Sequence, residues 1–233
     1  MHYQGVIFDF NGVLWWDTRL QQAAWNRLAS EMRGRPLTDE ELFTAVLGRS
    51  SRHTLDYLEG KALDDRRVDE LSRRKEALYR DLCLASGERF QLSPGAESLL
   101  NHLAEKGLPC AVATASPKEN VDFFTEHLRL DRWFSQWTLV FDDGTLPGKP
   151  SPELYLRAAE ALGFDPGECI VIEDACAGIE AARRAGMGYI IALGPGETHG
   201  ELIRCEGVDE VIENLKQVET KRLFRLRLKP DTL

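Results

Sequence analysis

Long apolar runs are missing from this 233-residue chain. No stretch approaches the roughly 20 apolar residues that a membrane-spanning helix needs, and the amino-terminal MHYQGVIFDF lacks a basic segment followed by a long apolar one. Cysteine is sparse: Cys83, Cys110, Cys169, Cys176 and Cys205 form no CxxC pair and are odd in number. That pattern excludes a zinc site of paired cysteines and predicts free thiols in a reducing cytoplasm rather than a disulfide framework. Positive charge is also in deficit, because 29 Lys and Arg stand against 38 Asp and Glu for a net charge of -9. Such a balance repels polyanions and excludes a general attraction to nucleic acid or anionic membrane. Internal repeats and low-complexity segments are absent as well. The expectation is a cytoplasmic monomer or small homo-oligomer, with no nucleic-acid partner and no membrane partner.

What is present is an alternation of short apolar runs with helical stretches. The runs Gly5 to Phe8, Leu108 to Ala113, Thr138 to Phe141, Cys169 to Ile172, Tyr189 to Leu193 and Val208 to Ile212 are rich in Val and Ile. They read as parallel strands buried on both faces. Helices are predicted from Pro94 to Lys106, Pro117 to Leu128, Pro152 to Leu162 and Ala177 to Ala185. Three of them open with Ser93-Pro94, Ser116-Pro117 and Ser151-Pro152, where the serine reads as a cap and the proline as the first helical turn. The order predicts a doubly wound, Rossmann-like α/β core over 1–15 and 90–233, whose ligands bind at the carboxyl ends of the strands. Residues 16–89 carry helical periodicity without a convincing strand, and predict an inserted all-helical cap domain. The tail from Lys221 to Leu233 is basic and reads as a solvated terminus.

The strand ends carry the chemistry. The first strand runs into Phe8-Asp9-Phe10-Asn11-Gly12, the second into Thr114, the third leads to Gly148-Lys149-Pro150, and the fourth stops at Glu173-Asp174. In a parallel sheet these ends share one edge, which gathers carboxylates, a hydroxyl and a lysine. That set suits phosphoryl transfer through Mg²⁺: carboxylates bind the hard cation, lysine and hydroxyl hold phosphate oxygens, and one carboxylate attacks phosphorus.

The sequence resembles the haloacid dehalogenase superfamily, in its phosphatase-like members with a helical cap. The resemblance spans GVIFDFNGVLWWDT, SPGAESLLNHLAEKGLPCAVATAS, GKPSPELYLRAAEALG and VIEDACAGIEAARRAGM. It implies an Mg²⁺-dependent hydrolase of a small phosphorylated metabolite, with Asp9 as nucleophile, Thr114 as the phosphate-binding hydroxyl and Lys149 as the balancing cation. Asp9, Glu173 and Asp174 match the metal carboxylates, and Asn11 contributes its backbone carbonyl. Ala115 and Ser116, next to Thr114, fall with the substrate-binding residues. In the cap the resemblance points to Lys75, and to Arg49 or Arg52, as groups that bind substrate phosphate. On periodicity alone, Lys75 reads as a lysine lying along the apolar stripe of its helix.

One position departs from the pattern. The family places an aspartate two residues after the nucleophile as proton donor and base, and here that residue is Asn11. An amide exchanges no proton at neutral pH, and positioned acid–base catalysis contributes roughly 10² to 10⁴-fold, so impaired turnover is expected. A β-phosphoglucomutase-like mutase is the alternative, weakened because Gln22 stands where mutase-like caps carry a histidine. A phospho-ligand-binding regulator with lost turnover is a further alternative.

Overall fold

The computed structural model describes residues 3–46, 50–143 and 145–220. The chain divides into two compact units, one made of Met1–Trp16 with Leu92–Leu233 and the other of Asp17–Gln91. The first is built on a sheet of six parallel strands: β1 (Gly5–Phe8), β2 (Cys110–Pro117), β3 (Leu139–Asp142), β4 (Cys169–Glu173), β5 (Tyr189–Leu193) and β6 (Glu210–Ile212). Their spatial order is β3-β2-β1-β4-β5-β6. All residues of β1 and β4 are buried, which is why the central strands read as unbroken apolar runs. Strand order reverses between β1 and β4, and a doubly wound sheet opens its ligand crevice at such a point.

The second unit is helical, with α1 (Thr18–Arg33), α2 (Asp39–Glu41), α3 (Ser51–Glu59) and α4 (Asp65–Ala85). Thr38 starts α2 with a capping box closed by Glu41, and Ser50 and Asp64 cap α3 and α4 through their side chains. Ala24, Trp25, Leu28 and Ala29 of α1 and Val68, Leu71, Leu78 and Tyr79 of α4 are buried at helical spacing. The sheet unit adds α5 (Ala96–Glu105), α6 (Lys118–Leu128), α7 (Glu153–Leu162), α8 (Cys176–Arg184) and α9 (His199–Leu202). Ala158 and Ala159 of α7 and Ala181 and Ala182 of α8 join Ile7, Val171 and Ile190 of the strands in one buried cluster. Small residues on these helices let their backbones approach the sheet closely.

The expected serine caps are not formed. Gly95, Pro117 and Pro152 occupy the cap positions of α5, α6 and α7 without a side-chain bond. Each serine hydroxyl has another partner: Ser93 donates to the Val13 carbonyl at 2.6 Å, Ser116 to Asn11 and Ser151 to Glu153. In two of the three the competing acceptor lies some 80 to 105 residues away in sequence, beyond a local pattern. The expectation of free thiols throughout is also corrected. Cys176 and Cys205, 29 residues apart, form a disulfide with Cα atoms 5.8 Å apart, while Cys83, Cys110 and Cys169 are thiols. The two cysteines follow the adjacent strands β4 and β5, so sheet pairing brings them together. Among the described residues no helix is long and apolar enough to cross a membrane. The basic tail from Lys221 lies outside the described residues.

Candidate active site

Asp9 is the first residue beyond β1, and its N–H donates to the Ile172 carbonyl at 2.9 Å, which sets it beside the end of β4. The chain then turns sharply. Gly12 has φ +84°, and its N–H donates to the Trp15 carbonyl at 2.7 Å. A Cβ at Gly12 would lie 1.9 Å from an Asp174 carboxylate oxygen. Glycine therefore serves twice here, for the left-handed backbone and for the approach of Asp174. Asp9, Glu173 and Asp174 each offer an oxygen within 4.8 Å of the others. Three converging carboxylates form a hard-oxygen donor set, which fits Mg²⁺.

Lys149 lies between two of these carboxylates. Its ammonium donates to Asp9 Oδ1 at 2.6 Å and to Glu173 Oε2 at 2.7 Å. Burial works against its charge, but Asp9 and Glu173 outweigh that and raise its pKa well above the ordinary value. Asp9 is pushed up to about 7, first by burial and then by the neighbouring Glu173 charge, with Lys149 opposing. Asp174 is raised by burial and by both other carboxylates. Glu173 goes the other way. Burial works to raise it, but Lys149, the Tyr155 hydroxyl and backbone N–H donors hold it below the usual carboxylate range. Fully ionised, the three carboxylates would carry more negative charge than one ammonium can balance, and without a cation Asp9 and Asp174 are therefore pushed toward holding their protons.

Asn11 faces β2. Its side-chain oxygen accepts from Ser116 Oγ at 2.7 Å and from Thr114 Oγ1 at 3.5 Å, and Thr114 Oγ1 accepts the Ser116 N–H at 3.1 Å. Thr114 thus lies within β2 rather than at its end, because the strand continues to Pro117 through a register shift. Ala115 is exposed in this segment. Asp9, Lys149, Glu173 and Asp174 are brought together, and Asn11, Thr114 and Ser116 form a bonded group on the same edge. The helical unit holds the remaining candidates. Lys75 is buried, donates to Gln21 Oε1 at 2.9 Å, pairs with Glu76, and lies over the rings of Trp25 and Tyr79. It does not run along the edge of its stripe to solvent. Arg52 pairs with Asp65 and donates to the Leu63 carbonyl. Arg49 lies outside the described residues.

Sequence reasoning missed Tyr155. This fully buried residue of α7 donates its hydroxyl to Glu173 Oε2, and Lys149 Nζ lies 5.0 Å from its ring centroid. On the apolar face of a helix it reads as core, and its only signal was a polar tip at a fully buried position.

A family model for haloacid dehalogenase-like hydrolases matches residues 3–186. The chain belongs to this family. It is 30% identical over 221 residues to a phosphorylated carbohydrates phosphatase of Thermotoga maritima, covering 92% of the chain and 99% of that protein. Hexitol phosphatase A of Escherichia coli is 28% identical, with 94% of each chain covered. Among solved structures, a family IA hydrolase from Entamoeba histolytica superposes with a TM-score of 0.89 at 32% identity, over 96% of this chain and 97% of that one.

Proposed function

We propose that the chain is an Mg²⁺-dependent phosphatase of a small phosphorylated carbohydrate, acting in the cytoplasm through an aspartyl-phosphate on Asp9. The observation that carries this reading is the contact of Asp9 Oδ1 with Lys149, inside a carboxylate set fit for a hard cation. The names of the relatives supply the substrate class. Asp9 and Asp174 would hold the cation, with the Glu173 carboxylate beside them engaged by Lys149, and Mg²⁺ would offset the repulsion between carboxylate and phosphate. Asp9 attacks phosphorus, the ester P–O bond breaks, and the alcohol departs with a proton from water. Water then hydrolyses the aspartyl-phosphate, releasing inorganic phosphate and restoring Asp9. Lys149 keeps Asp9 oriented and balances phosphate charge, while the Thr114 hydroxyl binds a phosphate oxygen. The helical unit, inserted in the chain after β1, is read as the cap that chooses the substrate, with Lys75 as its phosphate-binding cation.

Asn11 makes this a slow phosphatase. Phosphate release from a panel of sugar phosphates with Mg²⁺ tests the reading, run beside Asp9→Asn and Asn11→Asp. Turnover should fall to background in Asp9→Asn and rise roughly 10² to 10⁴-fold in Asn11→Asp. Tight binding of a sugar phosphate with no turnover in either the natural chain or Asn11→Asp would support a regulator instead.

A further inference from the structure

Glu173 has a full set of donors. Its Oε2 receives the Lys149 ammonium and the Tyr155 hydroxyl, and its Oε1 receives the N–H groups of Asp174 and Ala175, each at 3.2 Å. An ionised carboxylate offers about four acceptor positions, and all of them are filled. The carboxyl group occupies space that a side chain on α8 would take, since a Cβ at Gly178 would lie 2.1 Å from its carbon. Two of the four donors are backbone groups, and a third, Lys149, is itself being held. Tyr155 is the remaining one, and its own place is set by packing: it is fully buried among Ile7, Ala113, Ala158 and Val171 of the core cluster. Its ring also flanks the Lys149 ammonium. A phenylalanine would fill the same volume, so apolar packing alone gives no reason for the hydroxyl.

We propose that Tyr155 is a positioning residue, which locks the Glu173 carboxylate and thereby holds the Lys149 ammonium on Asp9. The inference rests on the reading of Asp9 as nucleophile and Lys149 as its partner. A hydrogen bond to a charged group inside a low-dielectric site has a narrow choice of geometry. Without the hydroxyl, Glu173 can rotate about its last torsion, and Lys149 follows it away from Asp9.

Tyr155→Phe tests this through two readouts. In a crystal structure of the variant, Glu173 is expected to turn and the Lys149–Asp9 contact to lengthen beyond hydrogen-bond range; an unchanged contact overturns the proposal. In kinetics with Mg²⁺ and a sugar phosphate, kcat is expected to fall about tenfold or more while KM and the Mg²⁺ dissociation constant stay within about threefold. Equal loss in all three, or none, overturns it, because a merely structural tyrosine would not separate them. 4-Aminophenylalanine at position 155 keeps a donor at the same place and is expected to restore kcat and the contact, and its failure to do so counts against the proposal. Absence of any Asp9-dependent turnover in the natural chain would instead refute the phosphatase reading, with the crystallographic comparison still deciding the role of Tyr155.

Discussion

Among the described residues two lysines are drawn out of water, one in each unit, and their surroundings differ in kind. Lys149, with a side chain 12% exposed, sits between the carboxylates of Asp9 and Glu173, which come from the ends of two different strands. Lys75, at 6%, lies on one helix beside its own neighbour Glu76, with a neutral amide and two aromatic rings completing its environment. The first arrangement is held by long-range charge, so removing any member leaves an unbalanced buried group. The second is mostly local and polarisable. Loss of its charge leaves behind one carboxylate that still reaches water, together with an amide and two rings that tolerate an apolar neighbour.

The largest expected effect separates the two sites directly. Lys149→Met leaves three carboxylates facing one another, and breaking a buried pair from one side costs about 3–5 kcal/mol. In EDTA the variant should melt well below the natural chain, at about 2–4 °C for each kcal/mol in a protein of this size. Mg²⁺ should restore much of that stability, because a cation answers the same excess charge. Phosphatase activity should fall by about 10³-fold or more and stay low with Mg²⁺, since Lys149 also orients Asp9. Thermal melts with and without Mg²⁺ check the first part, and equal melting in EDTA would contradict the charge-balance account.

A second expectation follows from Asp9, whose carboxyl is pushed up from 3.8 to about 7. Below about pH 4 the group is protonated in both folded and unfolded chains. Between there and pH 7 the folded chain keeps a proton that the unfolded chain has lost, so this contribution to stability declines as pH rises through the window. At 1.36 kcal/mol per unit the total is on the order of 4 kcal/mol. Asp9→Asn lacks the effect, so in EDTA its melting temperature should gain on that of the natural chain from pH 4 to pH 7. Melting curves across that range decide it, and a constant difference between the two proteins would contradict the assigned shift.

The contrast between the two lysines also marks what the sequence could reveal. The sheet was legible because β1 and β4 are buried on both faces and so appear as unbroken apolar runs, and because Asp9, Thr114 and Glu173 stand at or just past such runs, with Lys149 in the segment between β3 and α7. Connections between distant segments were not. Ser116 beside a proline reads as a helix cap, yet its hydroxyl goes to Asn11 across the strands. Cys176 and Cys205 show no spacing signal, because their meeting depends on β4 and β5 being neighbours. Tyr155 was hidden for the opposite reason. Its apolar ring satisfies the helical pattern so well that the pattern says nothing of the hydroxyl. Lys75 broke its stripe visibly, but the pattern could not distinguish a lysine along the edge from one enclosed by Gln21, Glu76, Trp25 and Tyr79.

The smallest expected effect concerns that enclosure. Lys75→Met keeps an unbranched chain of similar length, and loses the bond to Gln21, the pair with Glu76 and two contacts with aromatic faces. The Glu76 carboxylate left behind has a side chain 16% exposed and still reaches water, so the cost is that of one lost partner, about 1–3 kcal/mol, and the melting temperature should fall by several degrees, less than in Lys149→Met and equally with and without Mg²⁺. If Lys75 binds substrate phosphate as proposed, KM for a sugar phosphate should rise about tenfold, the loss of one charge-assisted hydrogen bond. kcat and the Mg²⁺ dissociation constant should change little. Steady-state kinetics and calorimetric Mg²⁺ titration measure all three quantities. An unchanged KM would assign Lys75 to the architecture of the helical unit alone, whereas a fall in Mg²⁺ affinity would mean that the two lysines are coupled rather than separate.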